Sequence, residues 1–317
     1  MKQNRREFIS TMAAAGAAIP FLSVEGKGYG AQQESKYPIR LFSKPIDAYD
    51  FGFMCEVTSK CGIGGFDMTV RPGGKIVPEK VETDLPKLVA EAKKYNLVFD
   101  MMVTAILSAS DPFTDRILKT ASSSGVKYYR FGWADYDLKA GIMDSIKKYH
   151  NELVAITALN KKYRIAGSYQ NHAGPRLGGP VWDLYELLKD LPREYTGAQY
   201  DVRHAMVEGA NTWLLGMRLI ADKINTLAIK DFIWQNVKGK AEAVTVPMGE
   251  GMVNWDAFFQ IVKELKIVAP LTLHIEYPLL EKGEEKLSLT QQQEIIVRKI
   301  KKDTDFVKSY LKKYQLA

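Results

Sequence analysis

Residues 255–277 read WDAFFQIVKELKIVAPLTLHIEY, an amphipathic stretch followed by a short apolar one. Residues 255–265 repeat apolar side chains at helical spacing, which predicts a helix with one buried face. Residues 271–276 form a β-rich run that ends in polar side chains, among them His274 and Glu276. The stretch therefore predicts one helix-then-strand unit with polar groups at the carboxyl end of its strand.

The same alternation extends through most of the chain. Short β-rich runs predict eight strands, at residues 39–42, 65–70, 97–103, 126–131, 164–169, 197–201, 224–231 and 271–276. Helical stretches are predicted at residues 85–95, 117–121, 142–163, 181–188, 212–221, 255–265 and 291–314. Alternating strands and helices indicate βαβ units and a parallel sheet. Eight units over this length predict a single-domain α/β protein, a closed (β/α)8 TIM barrel, over residues 31–317.

An open, doubly wound parallel sheet is the alternative architecture. Such sheets commonly bind nucleotides through Gly-x-Gly-x-x-Gly after the first strand. The nearest pattern here is Gly-Ile-Gly-Gly at residues 62–65, which precedes a predicted strand rather than following one. The sequence therefore favours the barrel and predicts no nucleotide cofactor.

The first thirty residues predict an export signal. Arg5 and Arg6 precede an Ala-rich apolar run at residues 12–22, and small residues follow at 28–31. This order is typical of a signal peptide, and the arginine pair indicates the twin-arginine type. The apolar run is shorter than the roughly 20 residues that a membrane helix needs. We therefore expect a periplasmic or otherwise exported protein with no stable membrane insertion after signal removal.

Charge and cysteine content exclude some functions. The chain has 44 Lys and Arg residues against 37 Asp and Glu, a net charge of +7. Much of the excess lies in Lys-rich helical stretches such as residues 299–313, which predicts solvated helix faces. No basic-aromatic stripe points to nucleic acid. Cys55 and Cys61 are too few for a disulfide scaffold, and we predict two free, buried thiols.

A barrel of this kind carries its site at the carboxyl ends of its strands. At these positions Glu276 is a candidate general base, and Lys230 a candidate stabiliser of an oxyanion. Asp201 and Glu276 are ligand types for a divalent metal that could stabilise an enediolate. Other strand-end side chains are candidates for binding a sugar: Arg71, Arg130, Trp133, His172, Trp234 and His274.

Four segments, in this order, resemble the xylose isomerase-like barrels, which include sugar phosphate isomerases and epimerases and tagatose-epimerase-type enzymes. The segments are Tyr-Gln-Asn-His-Ala-Gly at 169–174, Asp201-x-x-His204, Ile-Lys-Asp at 229–231 and His-Ile-Glu-Tyr at 274–277. The resemblance covers nearly the whole chain after the signal. Residues 67–74 and 247–251 are similar to an exported branch of the group.

The resemblance implies a metal-dependent sugar chemistry. In the metal-dependent members, strands five to eight supply Glu, Asp, His and Glu as ligands. Asp201 and Glu276 match two of these positions, whereas Gln170 and Ala228 stand at the other two. His204 matches a histidine that touches substrate or metal, which makes it a candidate catalytic residue beside Glu276 and Lys230. The resemblance therefore implies a site for Mn, Zn or Mg formed by the residues Asp201, Glu276, Gln170 and His204.

Three hypotheses follow for the function. The first is a sugar isomerase or epimerase that acts on a non-phosphorylated sugar through Glu276, with Lys230 or a metal stabilising the enediolate. The second is a lyase or hydrolase that cleaves oxidised (keto) glycosides by elimination, which needs one base and one oxyanion stabiliser. The third is a barrel that binds sugar without catalysis. The substrate is in each case a small sugar, and the oligomeric state stays open.

Overall fold

The computed structural model describes residues 35–316. The described chain contains ten strands: β1 Ile39–Phe42, β2 Gly65–Thr69, β3 Val98–Val103, β4 Tyr128–Arg130, β5 Ala166–Gln170, β6 Thr196–Asp201, β7 Ile224–Ile229, β8 Asp231–Val237, β9 Lys240–Val246 and β10 Leu271–Leu273. Strands β1 to β7 and β10 form a closed parallel barrel, and β8 pairs only with β9. The predicted (β/α)8 barrel is confirmed.

Helices connect the strands and surround the barrel. They are α1 Phe51–Lys60, α2 Val81–Lys94, α3 Thr114–Ser123, α4 Ile142–Tyr163, α5 Val181–Leu188, α6 Val202–Gly209, α7 Trp213–Leu219, α8 Trp255–Glu264 and α9 Leu289–Lys313. Helix α1 was not predicted, although Asp50 gives it a side-chain N-cap on the amide of Phe53. A capping box of Ser288 and Gln291 begins α9, two residues before the predicted start.

The main departure from the predicted elements follows the seventh barrel strand. The predicted strand at residues 224–231 ends at Ile229, and Asp231 begins the β8–β9 hairpin. Lys238 and Gly239 connect β8 and β9, both with positive φ (+52° and +83°), as a two-residue hairpin turn requires. The Lys-Gly pair at residues 238–239 was the sequence signal for this turn.

The barrel interior carries charged and polar side chains below the mouth. Arg40 on β1 donates Nε and Nη2 to the Asp100 carboxylate on β3, at 2.6 and 2.7 Å, and both residues are buried. Asp67 on β2 accepts a hydrogen bond from the Thr272 hydroxyl on β10 at 2.7 Å. Burial raises the pKa of Asp67 to about 6, although this hydrogen bond and the positive charge of Arg130 oppose the rise.

Two further predictions concern the thiols and the membrane. Cys55 and Cys61 are buried and free, as predicted. Within residues 35–316, no helix has the length and apolar content needed to cross a membrane. The predicted twin-arginine signal at residues 1–30 lies outside the described residues.

Candidate active site

A cavity of about 370 Å³ opens at the carboxyl ends of the barrel strands. Its volume is in the range of small-molecule sites, which are commonly 300–1,000 Å³. Eight of the eleven side chains predicted for the site line it: Arg71, Arg130, Trp133, Gln170, His172, Lys230, His274 and Glu276. Asp201 and His204 lie buried behind Lys230, and Trp234 lies elsewhere.

Asp201 is positioned by the junction of a strand and a helix. It is the last residue of β6 and the N-cap of α6, so its Oδ1 accepts the His204 backbone N–H at 3.1 Å. Asn171 fixes the Asp201 backbone, since its amide bonds both the N–H and the C=O of that residue, at 2.8 and 2.9 Å. The carboxylate is fully buried, and burial raises the pKa of Asp201 although the charge of Lys230 opposes the rise.

Lys230 joins the two predicted carboxylates. Its Nζ lies 2.9 Å from Glu276 Oε2 and 3.3 Å from Asp201 Oδ2. Its side chain is 2% exposed, so the ammonium has left water and depends on these two partners. Lys230 does not pair with its neighbour in sequence, Asp231, because both of its partners are other residues.

Glu276 is the acidic side chain among the cavity-lining residues. Its side chain is 26% exposed, whereas that of Asp201 is 0% exposed, so only Glu276 can touch a molecule in the cavity. Burial disfavours its charge, but the ammonium of Lys230, with smaller contributions from His274 and Lys44, outweighs burial, and together these groups hold the pKa of Glu276 well below its usual range. Glu276 is therefore ionised at neutral pH while Lys230 holds it.

Hydrogen bonds fix the orientation of the Gln170 amide. Its Nε2 donates to Asp201 Oδ2 at 2.8 Å, and its Oε1 accepts from Arg130 Nη1 at 3.2 Å. Turning the amide over would place like groups together at both contacts. The amide oxygen of Gln170 consequently faces Arg130 and not Asp201.

Arg130 is a buried cation with little compensation. It is 3% exposed, and no carboxylate oxygen of residues 35–316 lies within 4 Å of its guanidinium nitrogens, the distance of an ion pair. Its guanidinium lies over the Trp133 ring, 4.0 Å from the centroid. Burial, and then the like charge of Arg71, lower the pKa of Arg130 to about 9. Arg130 therefore remains charged at neutral pH, at a cost that an anion in the cavity would relieve.

The three predicted site histidines are neutral. Burial and the charge of Lys230 lower the pKa of His172 to about 4, and they lower those of His204 and His274 well below the usual value. His172 lies between two rings, 3.9 Å from that of His204 and 4.4 Å from that of Trp133. The ring of His274 stacks on Phe42 at 4.3 Å.

Two of these imidazoles, His172 and His274, line the cavity, and neither ring nitrogen of His274 has a hydrogen-bond partner within the described residues. His172 Nδ1 lies 2.9 Å from the Ala173 carbonyl, so it carries the proton and leaves Nε2 as an acceptor. His204 Nδ1 instead accepts from Arg203 at 2.9 Å, which places its proton on Nε2, 3.7 Å from Asp201 Oδ2. His204 therefore lies behind Asp201 and does not line the cavity.

Asp231 organises the loop beside the site. Its carboxylate accepts backbone N–H groups of Gly249, Gly251 and Val253 and the indole N–H of Trp255, at 2.9 to 3.2 Å. A Cβ at Gly251 would come within 2.1 Å of Asp231 Oδ1, so this position requires glycine. The pattern at residues 247–251 is thus explained by packing around one carboxylate.

One predicted binding residue is misplaced, and several others were missed. Trp234 is 47% exposed on the β8–β9 hairpin and does not line the cavity, because the unpredicted hairpin carries it away from the strand end. Lining side chains that were not predicted are Phe42, Lys44 and Arg176. Phe42 ends β1, so the strand-end rule could have found it, whereas Lys44 begins a short 3-10 helix after β1 and Arg176 lies on the loop after β5.

The donor set does not fit the divalent metal that the sequence suggested. The ammonium of Lys230 already lies between the carboxylates of Asp201 and Glu276, where such an ion would bind. The oxygen of Gln170 faces Arg130, and His204 Nε2 carries a proton. Within the described part of the chain, no group of three or more His, Cys, Asp or Glu is placed to hold a metal. The cation of this site belongs to the chain itself.

Solved structures share this fold at low sequence identity. A D-allulose 3-epimerase from Methylomonas sp. is 12% identical, with a TM-score of 0.63 over 87% of this chain and 99% of its own. A xylose isomerase domain protein from Planctomyces limnophilus is 15% identical, with a TM-score of 0.61 over 88% and 98%. A 3-keto-D-glucoside 4-epimerase from E. coli is 11% identical, with a TM-score of 0.59 over 83% and 99%.

Sequence comparison identifies the family. No curated protein sequence matches the chain. Residues 55–296 match the family described as xylose isomerase-like TIM barrel, which agrees with the closed barrel and with the strand-end cavity. The chain belongs to the xylose isomerase-like TIM barrel family.

Proposed function

We propose that the protein is an isomerase-type enzyme that removes a proton next to a carbonyl group of a non-phosphorylated sugar. The contact between Glu276 and Lys230 at the wall of the cavity carries this proposal. A carboxylate and an ammonium that face one cavity can serve as a base and as the stabiliser of the oxyanion that the base creates.

Glu276 is the proposed base. It takes the proton from the carbon next to the carbonyl. The electron pair of the C–H bond then forms the C=C bond of the enediolate, and the π pair of the carbonyl moves onto the carbonyl oxygen. In the free protein the Lys230 charge makes Glu276 a weak base. A substrate oxygen that draws the ammonium toward itself would loosen this hold and raise the pKa of Glu276 toward a useful value.

Lys230 is the proposed oxyanion stabiliser. An ammonium has three N–H donors; one of them binds Glu276 Oε2, and Asp201 Oδ2 lies 3.3 Å away as an ion-pair partner. A remaining N–H can bind the carbonyl oxygen, whose negative charge in the enediolate strengthens the interaction. Asp201 positions the ammonium through its own fixed contacts and, being fully buried, does not touch the substrate.

A single base restricts the reaction. An epimerisation that uses two flanking carboxylates needs an acid where Gln170 stands, and an amide does not exchange protons in the useful range. One base can return the proton to the neighbouring carbon, which converts an aldose and a ketose into each other. His172 can carry the hydroxyl proton that must also move, through the unprotonated Nε2 at the cavity. His204, predicted as catalytic, is a positioning residue in this scheme.

Solvent-proton exchange tests the proposal directly. The full chain is incubated in D2O with a panel of aldoses, ketoses and sugar acids, and deuterium incorporation next to the carbonyl is followed by NMR. We expect exchange with at least one sugar. Glu276→Gln should lower its rate by at least about 100-fold, the usual contribution of a general base.

The matched control is Glu281→Gln. Glu281 lies five residues further along and pairs with Lys299 at the surface, so its loss should leave the exchange rate unchanged. Equal rates for wild type and Glu276→Gln would exclude Glu276 as the base. Sugar binding without any exchange would instead support the third hypothesis, a barrel that binds sugar without catalysis.

Elimination from oxidised glycosides is the second candidate. The same single base and single ammonium are sufficient for it, because a keto group acidifies the neighbouring C–H and the leaving group departs from the next carbon. One of the similar folds is a 3-keto-D-glucoside 4-epimerase, which handles such a sugar. Release of the aglycone from 3-keto-glycosides, faster than deuterium exchange into free sugars, would favour the lyase.

We also propose that the chain is exported by the twin-arginine route. Arg5 and Arg6 and the apolar run at residues 12–22 support the proposal. A fusion of residues 1–31 to a reporter that must fold before export should reach the periplasm, and Arg5→Lys combined with Arg6→Lys should retain it in the cytoplasm. Export of the double variant would contradict the proposal.

A further inference from the structure

Cationic side chains dominate the walls of the cavity. Five of them line it, against the single carboxylate of Glu276: Lys44, Arg71, Arg130, Arg176 and Lys230. Asp201 and Glu276 pair with Lys230 and together carry one negative charge more than it does, and Arg176 at the exposed rim lies 4.0 Å from Asp135. Lys44, Arg71 and Arg130 still leave the cavity with a net excess of positive charge.

Arg130 is the centre of this excess. It is buried, and its one hydrogen bond with a side chain is to the neutral amide of Gln170. A guanidinium carries five N–H donors, so most of its capacity remains for a ligand. Trp133 holds the plane of the group from one side, with its ring centroid 4.0 Å away. A buried cation in this state is costly to the folded protein unless an anion joins it.

Arg71 reinforces the same wall. It follows β2 and is held by backbone hydrogen bonds of its loop, in which its N–H donates to the Ile76 carbonyl at 3.0 Å and its C=O accepts from Gly74 at 2.9 Å. Its charge is close enough to lower the pKa of Arg130. Two like charges on one wall repel each other, and a bound anion would remove the repulsion.

The cationic wall and the proposed base lie on opposite sides of the mouth. Arg71 and Arg130 come from β2 and β4, whereas Lys230 and Glu276 follow β7 and β10. In the closed strand order, two strands, β5 and β6, separate β4 from β7 on one side, and β1 separates β2 from β10 on the other. A sugar that places its reactive carbon at Glu276 therefore extends its far end toward the arginines.

The lining favours a carboxylate over a phosphate. Backbone N–H groups of a glycine-rich loop usually cradle phosphate. In the lining loop at 173–176, Gly174 donates its N–H to Glu208 at 2.9 Å and Arg176 donates its N–H to the Gly174 carbonyl at 2.8 Å. These amides are already used, whereas planar guanidinium groups match a carboxylate well.

We propose that the substrate is a sugar acid of the hexuronate type, whose carboxylate binds Arg71 and Arg130 while its carbonyl end meets Glu276 and Lys230. The orientation rests on the proposed function, whereas the preference for a carboxylate rests on the cationic wall alone. This inference narrows the substrate from a non-phosphorylated sugar to an anionic one.

Binding to matched pairs of sugars tests the inference. Calorimetric titration of the full chain compares glucuronate, galacturonate and mannuronate with glucose, galactose and mannose. We expect at least one hexuronate to bind at least tenfold more tightly than its neutral parent, with a preference that falls as salt is added, because screening weakens charge pairing. Glucose 6-phosphate is the phosphate probe, and it should bind more weakly than that hexuronate.

Two variants test whether the preference for hexuronates depends on the cationic wall of the cavity. Arg71→Gln should reduce the hexuronate-to-hexose affinity ratio by at least fivefold with little change for the neutral hexose. Arg298→Gln removes the same charge from an exposed position on α9 and should leave the ratio unchanged. The inference is overturned by equal affinities within each pair, by binding of none of the hexuronates, by tighter binding of the phosphate, or by an unchanged ratio in Arg71→Gln.

Glu276→Gln separates this inference from the proposed function. The variant should retain the hexuronate preference of the wild type while its deuterium exchange is lost. A preference without exchange in the wild type would leave the carboxylate site standing and contradict the isomerase. Exchange that depends on Glu276 and proceeds equally well with neutral sugars would support the isomerase and contradict the carboxylate site.

Discussion

Two buried arginines inside the same barrel have opposite surroundings. Arg40, two residues before the end of β1, is 2% exposed and makes a bidentate pair with Asp100. Arg130, at the end of β4, is 3% exposed and donates to the neutral Gln170. The two side chains are equally removed from water, yet only the deeper one has a carboxylate within hydrogen-bond distance.

The difference follows the division of labour in TIM barrels, in which the carboxyl-terminal face carries function and the opposite face carries stability. Arg40 is satisfied by the chain itself and holds β1 to β3. Arg130 is left for a partner that the chain does not supply. The contrast predicts that removing the partner of Arg40 harms folding, whereas removing Arg130 harms binding.

The largest expected effect is on the Arg40 pair. Asp100→Asn keeps the shape of the side chain and removes its charge, so the buried guanidinium of Arg40 loses its bidentate pair with this carboxylate. We expect a loss of about 3–5 kcal/mol in the free energy of unfolding, measured with urea. Glu264→Gln is the control, since Glu264 makes a bidentate pair with Arg218 that is exposed, and little loss is expected there. Equal losses in the free energy of unfolding for both variants would contradict a stabilising role for the buried Arg40–Asp100 pair.

The next effect concerns Asp67 on β2, a buried carboxyl group that accepts a hydrogen bond from Thr272. Burial raises its pKa to about 6 from the usual 3.8, so the folded state binds its proton more tightly than the unfolded state. Its contribution to stability is therefore present at acidic pH and is lost as pH rises through about 6. Asp67→Asn mimics the protonated form. The free energy of unfolding of this variant, relative to that of the wild type, should therefore rise by up to about 3 kcal/mol between pH 4 and pH 7.5.

Urea unfolding of wild type and Asp67→Asn at several pH values checks this. The difference between the two proteins cancels the titration of other groups that the substitution leaves unaltered. A difference that is constant with pH, or that shrinks as pH rises, would contradict the assignment of a raised pKa to Asp67.

The smallest expected effect on stability belongs to Arg130. Arg130→Met removes a costly buried charge but leaves the Gln170 oxygen without its donor, and the two effects oppose each other. We expect the free energy of unfolding to change by less than about 1 kcal/mol, while hexuronate binding is lost. A large loss of stability would show that Arg130, like Arg40, serves the fold.

Much of the barrel could be predicted because its local patterns are consistent. Apolar runs at residues 39–42, 97–103 and 224–229 are recognisable without any tertiary contact, and helix α4 follows from its length and period. The β8–β9 hairpin was missed because its strands are exposed over much of their length and lack a clear apolar face. That error is why Trp234 was placed in the site.

The strand-end rule predicted most residues of the site, but it did not predict which of their side chains contact each other. The sequence placed Asp201, Lys230 and Glu276 at neighbouring strand ends. It could not show that the lysine lies between the two carboxylates, because this depends on the direction of each side chain in the closed barrel. The family resemblance pointed to a metal there, and the position of one ammonium altered that interpretation.

The sequence by itself determined the barrel class, the family, most of the element order and most of the lining of the cavity, because these depend on period, on motif order and on the ends of strands. Tertiary structure alone decided which charges are paired. Arg40 meets Asp100 across 60 positions of sequence, and Lys230 meets Glu276 across 46. Such pairings arise only when the sheet closes. They distinguish Arg40, which stabilises the fold, from Arg130, which we propose binds a ligand.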